Sequence, residues 1–140
     1  MASRSARENH VPAETANTLD KFAGTVACPE SLADAGFRAA LLGPAAEHTV
    51  MTTAISGRPA RCIANRFTAL GAAVEQGAIP DYPIAYDAGK ALHAAAKAAG
   101  EFGFGAQWAG QGAPLTRAVP AAELVARLNA EMEEALEKVS

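Results

Sequence analysis

The chain has 140 residues, room for one domain of modest size. Half of it is hydrophobic, but alanine dominates that half, which favours helix and buries little area per residue. A thin core is therefore expected, anchored by a few large side chains such as Phe37, Phe67, Phe102, Phe104 and Trp108. The net charge of -3 argues against nucleic acid as the main partner, and no apolar run is long enough to span a membrane.

The first residues, MASRSARENHVPAETANT, carry basic groups with no apolar stretch after them. They read as a disordered leader, over about residues 1–22, and not as a signal peptide. Phe22–Glu30 (FAGTVACPE) is a short apolar run closed by Pro29 and reads as a strand. Ser31 is placed to cap a helix through SLADAGFRAALLG, with Asp34 at its third position and Gly43 as its stop. Leu32, Phe37, Ala40 and Leu41 give that helix its apolar stripe. His48–Ile55 (HTVMTTAI) is rich in β-branched residues and reads as a strand. Ser56-Gly57 turns the chain, and Pro59 suits the first turn of a helix through ARCIANRFTALGAAVEQG. That helix would bury Ile63, Phe67, Leu70 and Val74 and stop at Gly77.

Tyr82-Pro83 opens the next helix, which should run to about Ala99 with Gly100 as its stop. Ile84, Ala88, Ala91, Ala95 and Ala98 form one face; Tyr82, Tyr86, Lys90, His93 and Lys97 form another. Glu101–Thr116 is glycine-rich and aromatic, the composition of an irregular packed loop. Pro120 starts a last helix in which Leu124, Leu128, Met132 and Leu136 repeat at fours, with acidic residues in its first turn and Lys138 near its end. There is no internal repeat and no sign of a second domain.

The row Tyr82, Tyr86, Lys90 holds both tyrosines of the chain. Four-residue spacing stacks them on one helical face. That face is either a solvated one bordered by amphipathic tyrosines, or an anion pocket in which lysine supplies charge and the phenols supply neutral donors. Gly24-Thr25, at the end of the expected strand, is a site for backbone N–H groups near a phosphate or an ordinary turn. Arg58 and Arg61 either hold a phosphate or, in a helix's first turn, anchor a carboxylate or a neighbouring loop. The loop GFGAQWAGQG fits neither the phosphate-binding nor the dinucleotide-binding glycine pattern. His10, His48 and His93 are scattered, so no metal site is expected. Cys28 and Cys62 stand far apart with no CxxC, as reduced thiols of a cytoplasmic protein would.

GTVACPES, TVMTTAISGRPARCIANRF and YPIAYDAGKALHAAAKAAGEFGFGAQWAGQG occur in that order. Together they resemble the C-terminal portion of nitronate monooxygenases, the FMN-dependent enzymes formerly called 2-nitropropane dioxygenases. The resemblance runs from about Ala23 to the C-terminus, so 23–140 is expected to be one unit and residues 1–22 unrelated to the family. It implies a mostly helical α+β chain, the last part of a TIM-type α/β barrel flavoenzyme with its small helical domain and closing helix. It implies FMN as cofactor, and a small nitronate such as propionate 3-nitronate, with oxygen, as substrates giving a carbonyl compound and nitrite. Tyr82, Tyr86 and Lys90 would face the substrate beside the flavin, and Gly24 and Thr25 would touch the FMN phosphate. The family has glutamine two residues before that glycine where this chain has Phe22. Its catalytic histidine belongs to the barrel, and none of the three histidines here lies in a matching motif. A chain without most of its barrel is expected to be inactive alone and to dock on a separately encoded barrel half or self-associate. The alternative expectation is a non-catalytic helical interaction module or a truncated remnant of the enzyme; a related flavin-dependent reductase fits the tyrosine–lysine row less well.

Overall fold

The computed structural model describes residues 21–139. The expected leader lies almost wholly outside them, as does His10. Five α-helices and one two-stranded sheet follow in the order α1 (Lys21–Ala27), α2 (Ala35–Leu42), β1 (Thr49–Thr52), β2 (Ala60–Ile63), α3 (Arg66–Ala72), α4 (Ile84–Ala98) and α5 (Ala121–Val139). Short 3-10 turns at Pro44–Glu47, Gln76–Ala78 and Ala113–Leu115 join them. The result is the mostly helical α+β class that the sequence indicates.

Several elements differ from the sequence reading. Phe22–Glu30 does not extend into a strand; Lys21–Ala27 is helical. A strand needs pairing along its edges, whereas a helix satisfies its own backbone. Here the apolar run packs beside α2 and α5 instead. The next helix begins at Ala35, not after Ser31: Asp34 is its N-cap, accepting the Phe37 N–H at 2.8 Å. Leu32, expected in its apolar stripe, is fully exposed outside the helix.

The largest revision concerns residues 60–63. They were expected in a helix, but they form β2, antiparallel to β1 with Thr49 opposite Ile63 and Thr52 opposite Ala60. The β-branched run of β1 finds its partner there because the Ser56-Gly57 turn sends the chain straight back. Arg61 donates to the Thr49 carbonyl and hydroxyl at 3.3 and 3.2 Å, so it anchors a strand and not a helix's first turn. The helix starts only at Arg66, where Asn65 and Thr68 form a reciprocal capping box. It ends at Ala72, and Leu70 and Val74 stay exposed while Phe67 is buried.

The 101–116 segment is the expected packed loop, and it acts as a third extended layer. Ile63 N–H donates to the Gln107 carbonyl at 2.9 Å, Ala109 N–H to the Arg61 carbonyl at 3.3 Å, and Trp108 bridges to Cys62. Two small apolar clusters result. Leu41, Ala46, Ile63, Ala109 and Ala113 form one; Ile55, Cys62 and Phe67 form the other, with Phe104 and Trp108 against it. Cys28 and Cys62 are buried free thiols, and burial pushes the Cys62 thiol up to about 11, away from nucleophile chemistry.

α4 buries neither of the two faces named from the sequence. Ala85 and Gly89 are its buried positions, and Ile84, Ala88, Ala91, Ala95 and Ala98 face outward. Alanine burial is worth too little to choose a face. What decides is close approach: a Cβ on Gly89 would sit 3.1 Å from the Ile55 carbonyl and 3.2 Å from the Phe67 ring. On α5 only the first part of the apolar row is covered. Leu124 is buried and lies against Gly24, where an added Cβ would meet its Cδ2 at 3.4 Å, while Met132 and Leu136 are exposed.

Candidate functional site

Tyr86 and Lys90 lie four residues apart on α4, Tyr82 lies in the turn just before it, and the three side chains form one ridge. The two rings stack with centroids 6.2 Å apart and planes at 30°. The Lys90 ammonium lies 5.0 Å from the Tyr86 centroid and pairs with Asp87 at 2.8 Å. Asp87, by hydrogen bond and charge, holds the Lys90 pKa above its ordinary value, so the ammonium stays charged across neutral pH. Tyr82 is 49% exposed and Tyr86 half-buried. The ridge is a wall, not an enclosed pocket.

Arg58 completes the row from a different part of the chain. Its guanidinium lies over the Tyr82 ring, 4.9 Å from the centroid. Two features hold it there. The Ser56 hydroxyl donates to the Arg58 carbonyl at 3.0 Å and accepts its N–H at 3.4 Å. Gly57, at φ +75°, lets the turn press on the segment before α4; a Cβ there would fall 2.5 Å from the Pro80 oxygen and 2.6 Å from the Tyr82 nitrogen.

The expected polar face splits in two along α4. Its later half does not join the ridge. His93 Nε2 lies 3.2 Å from Asp34 Oδ2, and Lys97 Nζ 3.7 Å from the same oxygen. Burial alone would raise the Asp34 pKa, but the Phe37 N–H, His93 and Lys97 outweigh it and hold the carboxyl below its usual value. The α2 N-cap thus docks α4 as well as capping α2.

Gly24 and Thr25 are far from forming the expected strand end. They sit inside α1, where backbone N–H groups point along the axis to preceding carbonyls. A groove of about 910 Å³ runs between β1 and α3, lined by Val50, Met51, Ala69, Ala72 and Val74 among others. None of Tyr82, Tyr86, Lys90, Gly24 or Thr25 lines it. Among the described residues there is no cluster of three or more histidine, cysteine or carboxylate side chains suited to a metal.

Reasoning on the sequence missed the Arg58–Tyr82 contact and the Asp34–His93 dock. The first was legible only with β1 and β2 paired, since the hairpin brings the SGRP turn to the start of α4. The second needed Asp34 as the cap itself.

A small α+β unit carrying an aromatic row between two cations defines the class of the molecule, and sequence comparison gives its family. The nitronate monooxygenase family model matches residues 23–131. The chain is 60% identical over 114 residues to the nitronate monooxygenase of Paraburkholderia phytofirmans, covering 81% of this chain and 31% of that protein. It is 52% identical over 107 residues to the nitronate monooxygenase of Pseudomonas aeruginosa, covering 76% and 30%. The solved structure of nitroalkane oxidase from Streptomyces ansochromogenes superposes with a TM-score of 0.75 at 36% identity, over 84% of this chain and 33% of that one. The chain belongs to the nitronate monooxygenase family and spans about a third of the length of these relatives.

Proposed function

We propose that the chain is the C-terminal portion of an FMN-dependent nitronate monooxygenase, comprising its small helical domain and the closing helix of a TIM-type barrel. The whole enzyme oxidises alkyl nitronates such as propionate 3-nitronate, with oxygen, to a carbonyl compound and nitrite. The observation that carries this reading is the stacked Tyr82–Tyr86 pair ending in the charged Lys90 on an exposed wall. Lys90 attracts the anionic nitronate, and the phenols orient it by hydrogen bonding while presenting flat apolar faces.

The fit to FMN is partial. The aromatic wall suits the side of a pocket that meets substrate. Gly24 and Thr25 do not suit a phosphate as they stand, because their amides lie within α1 and Leu124 covers Gly24. A flavin bound in the whole enzyme would supply the electron-accepting chemistry, with its phosphate held by groups other than these two residues. The chain's own part is anion binding and orientation, and by itself it is inactive. Its work requires the barrel portion that the relatives carry in the rest of their length.

A titration of the purified chain into FMN, read by flavin fluorescence, tests the division of labour; the expected result is no saturable quenching. Assembled with the remaining two thirds of the Paraburkholderia relative, the chain should restore flavin binding and nitronate oxidation. In that assembly Lys90→Met should raise KM for a nitronate about tenfold with kcat little changed. An unchanged KM would remove Lys90 from the site. A second reading, a non-catalytic interaction module, draws on the exposed Leu32, Met132 and Leu136; failure of the assembled enzyme to turn over would favour it.

A further inference from the structure

Two lysines of α4 meet an aspartate, and the two contacts are built differently. Lys97 shares Asp34 with His93, at 3.7 and 3.2 Å. That carboxylate also accepts the Phe37 N–H at 2.8 Å and is largely buried, so it is fixed in place. Lys90 meets Asp87 at 2.8 Å. The Asp87 side chain is 67% exposed, and among the described residues its carboxylate accepts from no other donor. A contact this exposed costs little to open in water.

Asp87 does not depend on Lys90 for its own place. It lies in the first turn of α4, where the helix dipole favours an anion whether or not the ammonium stays. Lys90 has the Tyr86 ring on one side, 5.0 Å from its centroid, and Asp87 on another. Its side chain is 60% exposed, so the ammonium keeps N–H donors turned to open space. An anion that reaches it there meets an ion pair without net charge, not a free cation.

Resting on the proposed role of Tyr82, Tyr86 and Lys90, we infer that Asp87 sets the affinity of this wall for anions, as an internal counter-anion that competes with the incoming nitronate for Lys90. The nitronate takes over the ammonium as the Asp87 carboxylate turns to water. Its net gain is the difference between the two anions as partners of Lys90, so affinity for an anion is held down while a neutral molecule is unaffected. The carboxylate returns as the product anion leaves. Asp87 touches the reaction only through Lys90.

The test titrates the 140-residue chain with freshly prepared propyl-1-nitronate and, as a neutral control, with 1-nitropropane. Binding is read from the ring-proton NMR shifts of Tyr86. Asp87→Asn should tighten the nitronate about threefold to fivefold and leave 1-nitropropane within about twofold of the parent. Asp87→Glu, which keeps the charge, should stay near the parent. In a Lys90→Met background, Asp87→Asn should no longer tighten the nitronate. The Lys90 ammonium, followed by NMR, should lose its proton at lower pH in Asp87→Asn, because the parent carboxylate favours the charged form. Tyr82, Tyr86 and Arg58, the other titratable or charged groups of the ridge, are the same in both proteins. Circular dichroism checks that each variant keeps the helical content of the parent. If Asp87→Asn weakens the nitronate or leaves it unchanged while Lys90→Met weakens it, the inference fails and the tyrosine–lysine wall stands. The inference fails equally if the tightening persists without Lys90 or is matched by Asp87→Glu. If the nitronate does not move the Tyr86 signals, or Lys90→Met changes nothing, the reading of the wall fails and the inference with it.

Discussion

Gly57→Ala is the substitution that most directly tests how the wall is assembled. Two costs add. The residue sits at φ +75°, where an L side chain costs about 1–2 kcal/mol. The new methyl would also lie 2.5 Å from the Pro80 oxygen, 2.6 Å from the Tyr82 nitrogen and 2.8 Å from the Asp81 carbonyl carbon. These are backbone atoms, and they cannot swing aside, because the Asp81 carbonyl accepts the Ile84 N–H at 2.9 Å and so belongs to the start of α4. Relief requires the SGRP turn to lift away, an overpacking cost of about 1–2 kcal/mol. The total is about 2–4 kcal/mol. With a urea slope of about 1–3 kcal/mol/M, the unfolding midpoint should fall by about 1–2 M. Two control glycines separate the costs. Gly100→Ala carries a similar φ of +79° with open space around it, and Gly77→Ala has open space and no such φ. Gly100→Ala should show the conformational part alone, and Gly77→Ala a change near zero. The reasoning is refuted if Gly57→Ala and Gly100→Ala lower the midpoint equally, since the contact with the α4 start would then cost nothing.

Asp34→Ala removes the α2 cap and the dock for His93 and Lys97, and should cost about 1–2 kcal/mol at pH 7. Because the folded carboxyl titrates below its ordinary 3.8, its contribution is complete above that value and is lost as the pH falls through the folded pKa. The parent should therefore lose stability below about pH 4 more steeply than Asp34→Ala; parallel acid limbs in urea melts would refute the assignment. Asn65→Ala removes the α3 cap and also the bonds from Asn65 Nδ2 to the Gly105 carbonyl and Gln107 Oε1, at 3.0 and 3.1 Å. It should cost about 2–3 kcal/mol, since Gln107 is buried and loses its partner. Asn65→Asp keeps the cap but turns an anion toward two oxygens, so amide exchange in the 103–107 loop should rise in both variants; protection unchanged in Asn65→Asp would sink the tether.

What the sequence made legible follows from how local each signal is. The extent of α4, the stop at Gly100 and the spacing of Tyr86 and Lys90 rest on proline, glycine and helical period within one segment, and they appear in the structure, whereas Tyr82 joins the row from the turn before the helix. The start of α5 after Pro120 and the packed 101–116 loop are local in the same sense. The failures lie where long-range contacts decide. ARCI has no period that distinguishes a strand from a helix, and its fate was set by pairing with Thr49–Thr52. The buried side of α4 was not legible at all, because glycine, invisible to an apolar stripe, makes the close contact there at Gly89. FAGTVACPE carried an apolar pattern suited to a strand, but among the described residues it pairs with no strand and coils instead.

These misreadings and the site share a cause. The wall is not a property of α4 alone, although its sequence signature lies entirely there. Tyr82 is packed against a turn between two short paired strands, the second strand pairs on its other side with a loop further along the chain, and that loop is tied down by Asn65 at the head of α3. Each tie is a hydrogen bond or a close backbone contact in a molecule whose apolar core is thin. Moving any one of them shifts Arg58 relative to Lys90 without touching either side chain. Polar ties, unlike a large apolar core, specify relative position more than they add stability. The wall's geometry should therefore respond to Asn65 and Gly57 substitutions at temperatures where the chain is still fully folded, and a tyrosine pair that kept its ring shifts up to the melting point in those variants would show that α4 positions the wall unaided.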